Sequence, residues 1–170
     1  FALPTQTDML SKLRFFPFAF FLPALVSAQA YISYFTGDTS DISTPTSGGT
    51  VLMGGATEND NAMRWFLQRA NGGDVVVIRA SGSNGYNDYL YTDLGVPVNS
   101  VQSIVTPNVA SANDPYVAQQ IRNAEALWMA GGDQWNYVSY WKNGPIGDAL
   151  RYLIDEKKAV IGGTSAGMAV

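Results

Sequence analysis

From Thr50 onwards the chain alternates short apolar strands with amphipathic helices, and this alternation restricts the folds it can adopt. The run Asp74 to Ile78 holds consecutive β-branched residues, which is typical of a strand buried on both faces. The stretch before it places Met63, Phe66 and Leu67 on one helical face. Strands that alternate with helices form βαβ units. The sequence therefore predicts an α/β fold with a parallel sheet and helices on both faces.

The alternation also predicts where the elements lie. Strands are expected at 50–53, 74–78, 100–105, 126–130 and 159–161, with a further short strand at 31–35. Helices are expected at 59–70, near 88–93, from Asp114-Pro115 onwards, at 134–141 and at 145–157. Residues 44–49 and 81–87 have the composition of loops.

Glycine clusters follow three of these strands: Gly54-Gly55, Gly131-Gly132 and Gly163 to Gly167. Ligands of open α/β sheets bind at the carboxyl ends of the strands. The three clusters should therefore meet at one edge of the sheet and line a site there.

The last cluster, Gly163-Thr164-Ser165-Ala166-Gly167, has the form G-x-S-x-G after an apolar strand. This pattern is typical of a nucleophile elbow, in which a strained turn exposes the serine hydroxyl. The small residues on either side would let neighbouring backbone approach closely. The alternative is a tight strand-to-helix turn with no chemistry.

A serine nucleophile needs a general base, and the sequence contains no His. It ends three residues after Gly167, so it predicts either a fold truncated after the elbow or an inactive site. The absence of Cys excludes disulfides and thiolate metal sites from these residues, and no metal or cofactor is expected. The net charge of −4 and the lack of a basic block argue against a nucleic-acid partner or an anionic membrane surface.

Residues 9–30 have the layout of a secretory signal peptide. Basic residues follow Met9, an apolar run covers Phe15 to Val26, and small residues end it, with cleavage expected after Ala30. The alternatives are a membrane anchor or a buried helix, but the run is short for a membrane span and is interrupted by prolines. Residues 1–8 would be read-through upstream of the start. The mature protein is expected to be secreted or periplasmic, with no membrane contact after cleavage.

Two paired motifs resemble a known family. Ala130-Gly131-Gly132-Asp133-Gln134, followed about thirty residues later by Gly162 to Gly167, is similar to the cyanophycinase and dipeptidase E family of serine peptidases, and Met53-Gly54-Gly55 fits as well. The resemblance covers 49–170, which would be an incomplete peptidase domain after a polar segment at 31–48. It implies a flavodoxin-like fold similar to class I glutamine amidotransferases, with Ser in place of their Cys.

The resemblance also implies roles for single residues. Ser165 would be the nucleophile, and the backbone N–H groups of Ala166 and Gly132 would form the oxyanion hole. Gln134 would lie against a peptide substrate, which in this family includes β-aspartyl peptides. The His and its acidic partner would lie beyond Val170. Geometry supports Gly132, because neighbouring parallel strands would bring its turn to about 5 Å from the elbow in the pairing direction.

Other polar residues have two interpretations each. Asp133 could contact substrate, but an N-cap of the following helix is the preferred interpretation. Arg79 ends a buried strand and could bind a substrate carboxylate or form an internal salt bridge. Glu125 and Glu156 are expected to be solvated.

Four aromatic residues crowd one predicted helix, and packing is favoured over a ligand site: Trp135, Tyr137, Tyr140 and Trp141.

Three functions compete at this point. The first is a secreted serine peptidase. The second is a non-catalytic, glutamine-amidotransferase-like domain that binds or supports other parts of a protein. An α/β-hydrolase esterase fits less well, because the His-Gly-type oxyanion motif after an early strand is absent.

Overall fold

Six strands form one sheet in the computed structural model, which describes residues 30–170. They are β1 Ile32–Gly37, β2 Gly49–Met53, β3 Asp74–Arg79, β4 Ser100–Val105, β5 Ala126–Met129 and β6 Val160–Thr164. The predicted strands are all present, with ends shifted by a few residues. The predicted signal peptide lies almost wholly outside the described residues, and the stretch 1–8 lies entirely outside them. Within 30–170 no helix is long and apolar enough to cross a membrane.

The strand order is β1-β4-β3-β5-β6-β2. All pairs from β4 to β2 are parallel, whereas β1 runs antiparallel to β4, with Ile32 opposite Val105 and Gly37 opposite Ser100. The predicted α/β fold is confirmed, and the sheet is mixed because of this one edge strand. The opposite edge is β2, whose Leu52 side chain is 68% exposed.

Six α-helices lie in the described part of the chain: α1 Asp60–Arg69, α2 Val109–Ala112, α3 Pro115–Asn123, α4 Gln134–Trp141, α5 Pro145–Tyr152 and α6 Ala166–Ala169. Asn59 and Asp114 cap α1 and α3 with their side chains, and Pro115 is the first residue of α3, as predicted. The short helix α2 was not predicted. The helix expected at 145–157 is α5 followed by a π-helical turn, Leu153–Lys157, and the helix expected near 88–93 is a π-helical turn, Tyr89–Asp93.

Alternate residues of the central strands face two separate cores, so helices do cover both faces of the sheet. On one face Ile78, Leu127 and Met129 pack with side chains of α3, α4 and α5. On the other face Val77 and Trp128 pack with the apolar side of α1. Because both faces are buried, β3 and β5 carry continuous apolar runs rather than an alternating pattern.

The segment between β1 and β2 crosses the amino-end edge of the sheet. Ile42 donates its N–H to the Asp74 carboxylate (3.1 Å), and the Thr44 and Thr46 hydroxyls donate to the carbonyls of Ala70 (2.7 Å) and Lys157 (2.8 Å). These bonds fasten the segment to the elements it passes. Residues 44–49 form the predicted loop up to the start of β2.

Glu125 was expected to be solvated, and this prediction is wrong. Its side chain is fully buried between α3 and β5. Lys157 lies 2.8 Å from one carboxylate oxygen, and the N–H of Asp74 donates to the other at 2.8 Å. Burial raises the pKa of Glu125, while the ammonium group of Lys157 opposes that rise. The partner lies 32 residues away in sequence, so no local pattern indicates it. Glu156 is exposed, as expected.

Candidate active site

The turn after β6 has the geometry of a strained elbow. Ser165 separates β6 from α6 with φ 53° and ψ −115°, and its side chain is exposed. For a residue with a Cβ atom, such a conformation is about 1–3 kcal/mol less favourable than an ordinary one. A non-glycine residue in this region persists only where the surrounding structure fixes it. The predicted combination of strain and exposure is therefore present at Ser165.

The glycines of the motif allow backbone to approach backbone. An ideal Cβ atom on Gly163 would lie 2.2 Å from the carbonyl oxygen of Gly167, and one on Gly167 would lie 2.1 Å from the carbonyl oxygen of Met129. Ala166 is only 2% exposed. The expected close approach at these small residues is confirmed, and it presses α6 against β5 and β6.

Backbone hydrogen bonds hold Ser165 on both sides. Its N–H donates to the Met53 carbonyl of β2 (3.0 Å), and its carbonyl accepts from the N–H groups of Met168 (3.1 Å) and Ala169 (3.2 Å). The Ser165 N–H is thus already used within the fold. Ala166 begins α6, and the first N–H groups of a helix have no acceptor inside it.

The three glycine clusters do meet at one edge of the sheet. Met53 pairs with Thr164 across β2 and β6, and Met129 pairs with Gly163 across β5 and β6. The two clusters that follow β2 and β5 therefore flank the elbow on either side. An ideal Cβ atom on Gly131 would lie 3.5 Å from the Ser165 Cβ, and one on Gly55 would lie 2.8 Å from it.

Gly132 lies in the turn after β5, as required for the predicted oxyanion donor. Its own Cβ direction points at Tyr137, where an ideal Cβ atom would lie 2.6 Å from the hydroxyl oxygen. Strands β5 and β6 are parallel neighbours, which is the condition on which the prediction rested. The donor role of the Gly132 N–H, like that of the Ala166 N–H, stays a prediction.

Tyr137 holds the turn that contains Gly131 and Gly132. Its hydroxyl lies 2.9 Å from the Ala130 carbonyl oxygen and 3.0 Å from that of Gly131. The ring is buried and stacks on Trp141 with centroids 4.1 Å apart. Burial raises the pKa of Tyr137, so the hydroxyl keeps its proton as a donor. Sequence reasoning assigned this residue to packing only and missed its contact with the turn.

The other aromatic residues of α4 follow the packing prediction in part. Trp141 is buried and donates its indole N–H to Thr106 (2.9 Å), and Tyr140 is half-buried against the same core. Trp135 differs, because its side chain is 69% exposed at the start of the helix.

Asp133 is the N-cap of α4. Its carboxylate accepts a hydrogen bond from the Trp135 N–H at 2.8 Å, so the preferred interpretation as a cap is correct. Gln134 is the first residue of the helix and is exposed at this edge. Contact of Gln134 with a substrate stays a prediction.

Arg79 makes contacts that differ from both of its interpretations. At the end of β3 its guanidinium donates to the carbonyl oxygens of Ser81 and Ser83, the latter at 3.1 Å. No salt bridge of Arg79 is present among residues 30–170. The side chain therefore shapes the loop after β3, and its role toward a substrate carboxylate stays a prediction.

A second group of polar residues at the carboxyl ends was not predicted. The Tyr86 hydroxyl donates to the Glu58 carboxylate, and the Tyr89 hydroxyl donates to Asp60 at 2.9 Å. Burial, reinforced by the carboxylate of Glu58, raises the pKa of Tyr86 to about 12. These residues line a cavity of about 330 Å³ with Thr57 and Gly85. Their position in the segments that directly follow β2 and β3 is the sequence signal that could have indicated them.

Comparisons with known proteins show what the chain is similar to. No family model matches the chain. Cyanophycinases from Synechococcus elongatus and from Thermosynechococcus vestitus are each 29% identical over 134 residues, which covers 72% of this chain and 41% of the relative. The chain thus spans less than half the length of these relatives.

A peptidase from an acI-B1 actinobacterium shares the fold in its crystal structure. The two superpose with a TM-score of 0.52 at 16% identity, covering 72% of this chain and 55% of the peptidase. The chain is thus similar in sequence to cyanophycinases, as its paired glycine motifs predicted, and similar in fold to a peptidase.

Proposed function

We propose that the chain carries the nucleophile and the oxyanion hole of a serine-type peptidase that cleaves peptide bonds, including β-aspartyl bonds. The observation that carries the proposal is the conformation of Ser165: a non-glycine residue at φ 53° with an exposed side chain, between two glycine turns at the carboxyl edge of the sheet. Such an elbow presents a hydroxyl to a carbonyl that approaches along the edge. The names of the cyanophycinase relatives support the same chemistry.

The reaction runs through a covalent intermediate. The Ser165 Oγ attacks the carbonyl carbon and its proton passes to a base, while the carbonyl oxygen becomes an oxyanion held by the N–H groups of Ala166 and Gly132. The C–N bond then breaks, and the departing amine takes the proton from the base. Water hydrolyses the acyl-serine and restores the hydroxyl. Loss of one oxyanion donor typically lowers the rate by about 10²–10³.

The base is not a His of these 170 residues, since the sequence contains none. We place the His and its acidic partner in sequence beyond Val170, as the family resemblance implies, and the greater length of the relatives supports this. Without a base the oxyanion hole gives only residual catalysis. The 170-residue chain by itself is therefore expected not to turn over peptides at a useful rate.

The test uses the full-length protein with β-aspartyl and α-aspartyl peptides and with a phosphonofluoridate that labels activated serines. Hydrolysis and labelling of Ser165, located by mass spectrometry, are expected for the wild type. Both should be lost in Ser165→Ala and kept in the control Ser139→Ala, which alters an exposed serine on α4. Retained hydrolysis in a folded Ser165→Ala variant would refute the assignment. A reading frame beyond Val170 with no His and no acidic residue at strand ends would favour the non-catalytic, amidotransferase-like domain.

We also propose that the protein is secreted or periplasmic after removal of residues 9–30. The support is the signal-peptide layout of the sequence together with the start of β1 at Ile32, two residues past the expected cleavage point. Detection of the processed protein outside the cytoplasm tests this, and an unprocessed cytoplasmic protein would contradict it.

A further inference from the structure

Gly54 and Gly55 follow β2, and the proposed mechanism gives them no role. Because Met53 lies opposite Thr164, the chain after β2 runs beside Ser165. The two glycines meet different surroundings. An ideal Cβ atom on Gly54 would have no heavy atom within 4 Å, whereas one on Gly55 would lie 2.8 Å from the Ser165 Cβ and 3.0 Å from its Oγ.

Backbone conformation does not explain the glycine at position 55. The glycines with positive φ among residues 30–170 are a separate set: Gly37, Gly72, Gly82 and Gly95. Gly55 is outside this set, so it does not have the positive φ that favours glycine. The feature that distinguishes it from Gly54 is the space it leaves next to Ser165.

The Cβ atom of Ser165 cannot easily move to make room for a side chain at position 55. The Ser165 Cβ is fixed by the strained backbone, by the hydrogen bond from its N–H to Met53 (3.0 Å) and by the bonds that its carbonyl accepts from α6. A methyl group on Gly55 would thus push against an atom held by the sheet on one side and by a helix on the other. Relief requires a shift of the elbow, of the loop after β2, or of both.

We infer that Gly55 is a positioning residue for Ser165: the missing side chain keeps the β2 side of the hydroxyl open and lets the elbow hold its conformation. A substituent there displaces Oγ from the path of an attacked carbonyl. The contact itself is a matter of packing, and only its consequence for turnover rests on the proposed function.

A double-mutant cycle tests the packing without any assay of activity. Gly55→Ala and the matched control Gly54→Ala are made in the wild type and in Ser165→Gly, which removes both Cβ and Oγ and tolerates the φ of 53°. In the wild type Gly55→Ala should lower Tm by about 3–8 °C, and Gly54→Ala by less than about 2 °C. In the Ser165→Gly background the difference between the two variants should vanish. Equal Tm values in the wild type, or a loss that persists in Ser165→Gly, would overturn the inference.

Kinetics of the full-length protein test the consequence. Gly55→Ala should slow labelling of Ser165 by the phosphonofluoridate, and lower kcat for peptides, by about tenfold or more relative to Gly54→Ala, with a smaller change in KM. Equal labelling rates in the two variants would refute the positioning role. If the wild type itself is not labelled, the proposed function fails, and the cycle in Tm alone decides the contact between Gly55 and Ser165.

Discussion

The backbone N–H of Ser165 donates to the carbonyl oxygen of Met53 at 3.0 Å, which joins the elbow to the edge strand β2. The bond continues the β2–β6 ladder one residue past Thr164. It also removes the serine's own N–H from the set of donors available to an oxyanion. In the proposed mechanism the oxyanion is therefore held by the N–H of the next residue, Ala166, and by the turn after β5.

Removal of the Tyr137 hydroxyl should loosen that turn. Tyr137→Phe takes away the donor that lies 2.9 Å and 3.0 Å from the Ala130 and Gly131 carbonyl oxygens. The lost hydrogen bond corresponds to about 0.5–1.5 kcal/mol, or a fall in Tm of about 1–6 °C. In the full-length protein kcat should fall by about ten- to a hundredfold as Gly132 moves from its place. Thermal unfolding and peptide kinetics measure the two effects, with Tyr140→Phe on the same helix as control. Unchanged kcat would show that Tyr137 serves packing alone.

Gly167→Ala should destabilise the fold strongly. The new methyl group would lie 2.1 Å from the Met129 carbonyl oxygen, which belongs to the strand beside β6 and cannot move independently of the sheet. Overpacking of this kind costs about 1–3 kcal/mol or more, so Tm should fall by about 2–12 °C. Gly85→Ala is the matched control, because its Cβ atom would meet nothing within 4 Å. Similar melting curves for both variants would contradict the close approach of α6 to β5.

Local sequence patterns predicted most of the fold but only part of the candidate site. Local patterns were sufficient to predict the strands. Runs such as Val75 to Ile78 are buried on both faces, and their consecutive apolar residues indicate this burial. Local patterns were also sufficient for the elbow, since a strained turn in close contact with a strand demands small residues at fixed positions. The antiparallel direction of β1 could not be predicted, because it depends on the pairing of Ile32 with Val105, which is distant in sequence.

The residues that sequence reasoning missed act through long-range contacts. The ion pair of Glu125 with Lys157 and the hydrogen bond of Tyr86 to Glu58 join segments that are about thirty residues apart. A charged or phenolic residue next to a strand end is normally solvated, and only the folded neighbour changes that. Tyr137 was recognised as buried, but the direction of its hydroxyl depends on how α4 turns back over β5.

Lys157→Met should destabilise the fold, because Lys157 is the charged partner of the buried Glu125. The variant leaves a carboxylate that is fully buried without its ammonium partner, which typically costs about 3–5 kcal/mol near neutral pH. Burial already raises the pKa of Glu125, and loss of the cation should raise it further. A carboxyl whose folded-state pKa exceeds its unfolded value stabilises the fold below the unfolded pKa, and this stabilisation is lost as pH rises through the folded pKa. The loss of stability should therefore shrink as pH falls from 7 toward 5.

Urea unfolding at several pH values measures this dependence. Lys142→Met, which alters an exposed lysine, is the control and should change stability by less than about 0.5 kcal/mol at every pH. A deficit in Lys157→Met that grows toward low pH would have the opposite sign and would contradict the assignment.

The mature protein should begin at Tyr31. Cleavage after Ala30 leaves β1 intact, because its pairing with β4 starts at Ile32, and it keeps the stack of Tyr31 on Tyr116 with centroids 5.0 Å apart. N-terminal sequencing of secreted material decides the point. A mature chain that retains Phe15 to Val26 would favour a membrane anchor instead.

The segment between β1 and β2 must have a minimum length, because it connects opposite edges of the sheet. The two strands are consecutive in sequence but occupy opposite edges of the six-stranded sheet, so eleven residues span five strand spacings, about 24 Å at roughly 4.8 Å each. Fully extended, those residues would reach about 40 Å. The segment is not fully extended, because its path also follows its hydrogen bonds to Asp74, Ala70 and Lys157. The sheet therefore fixes a minimum length for this segment: shortened by about five residues it would reach only about 22 Å and could no longer connect both edges, whereas a longer segment could still do so.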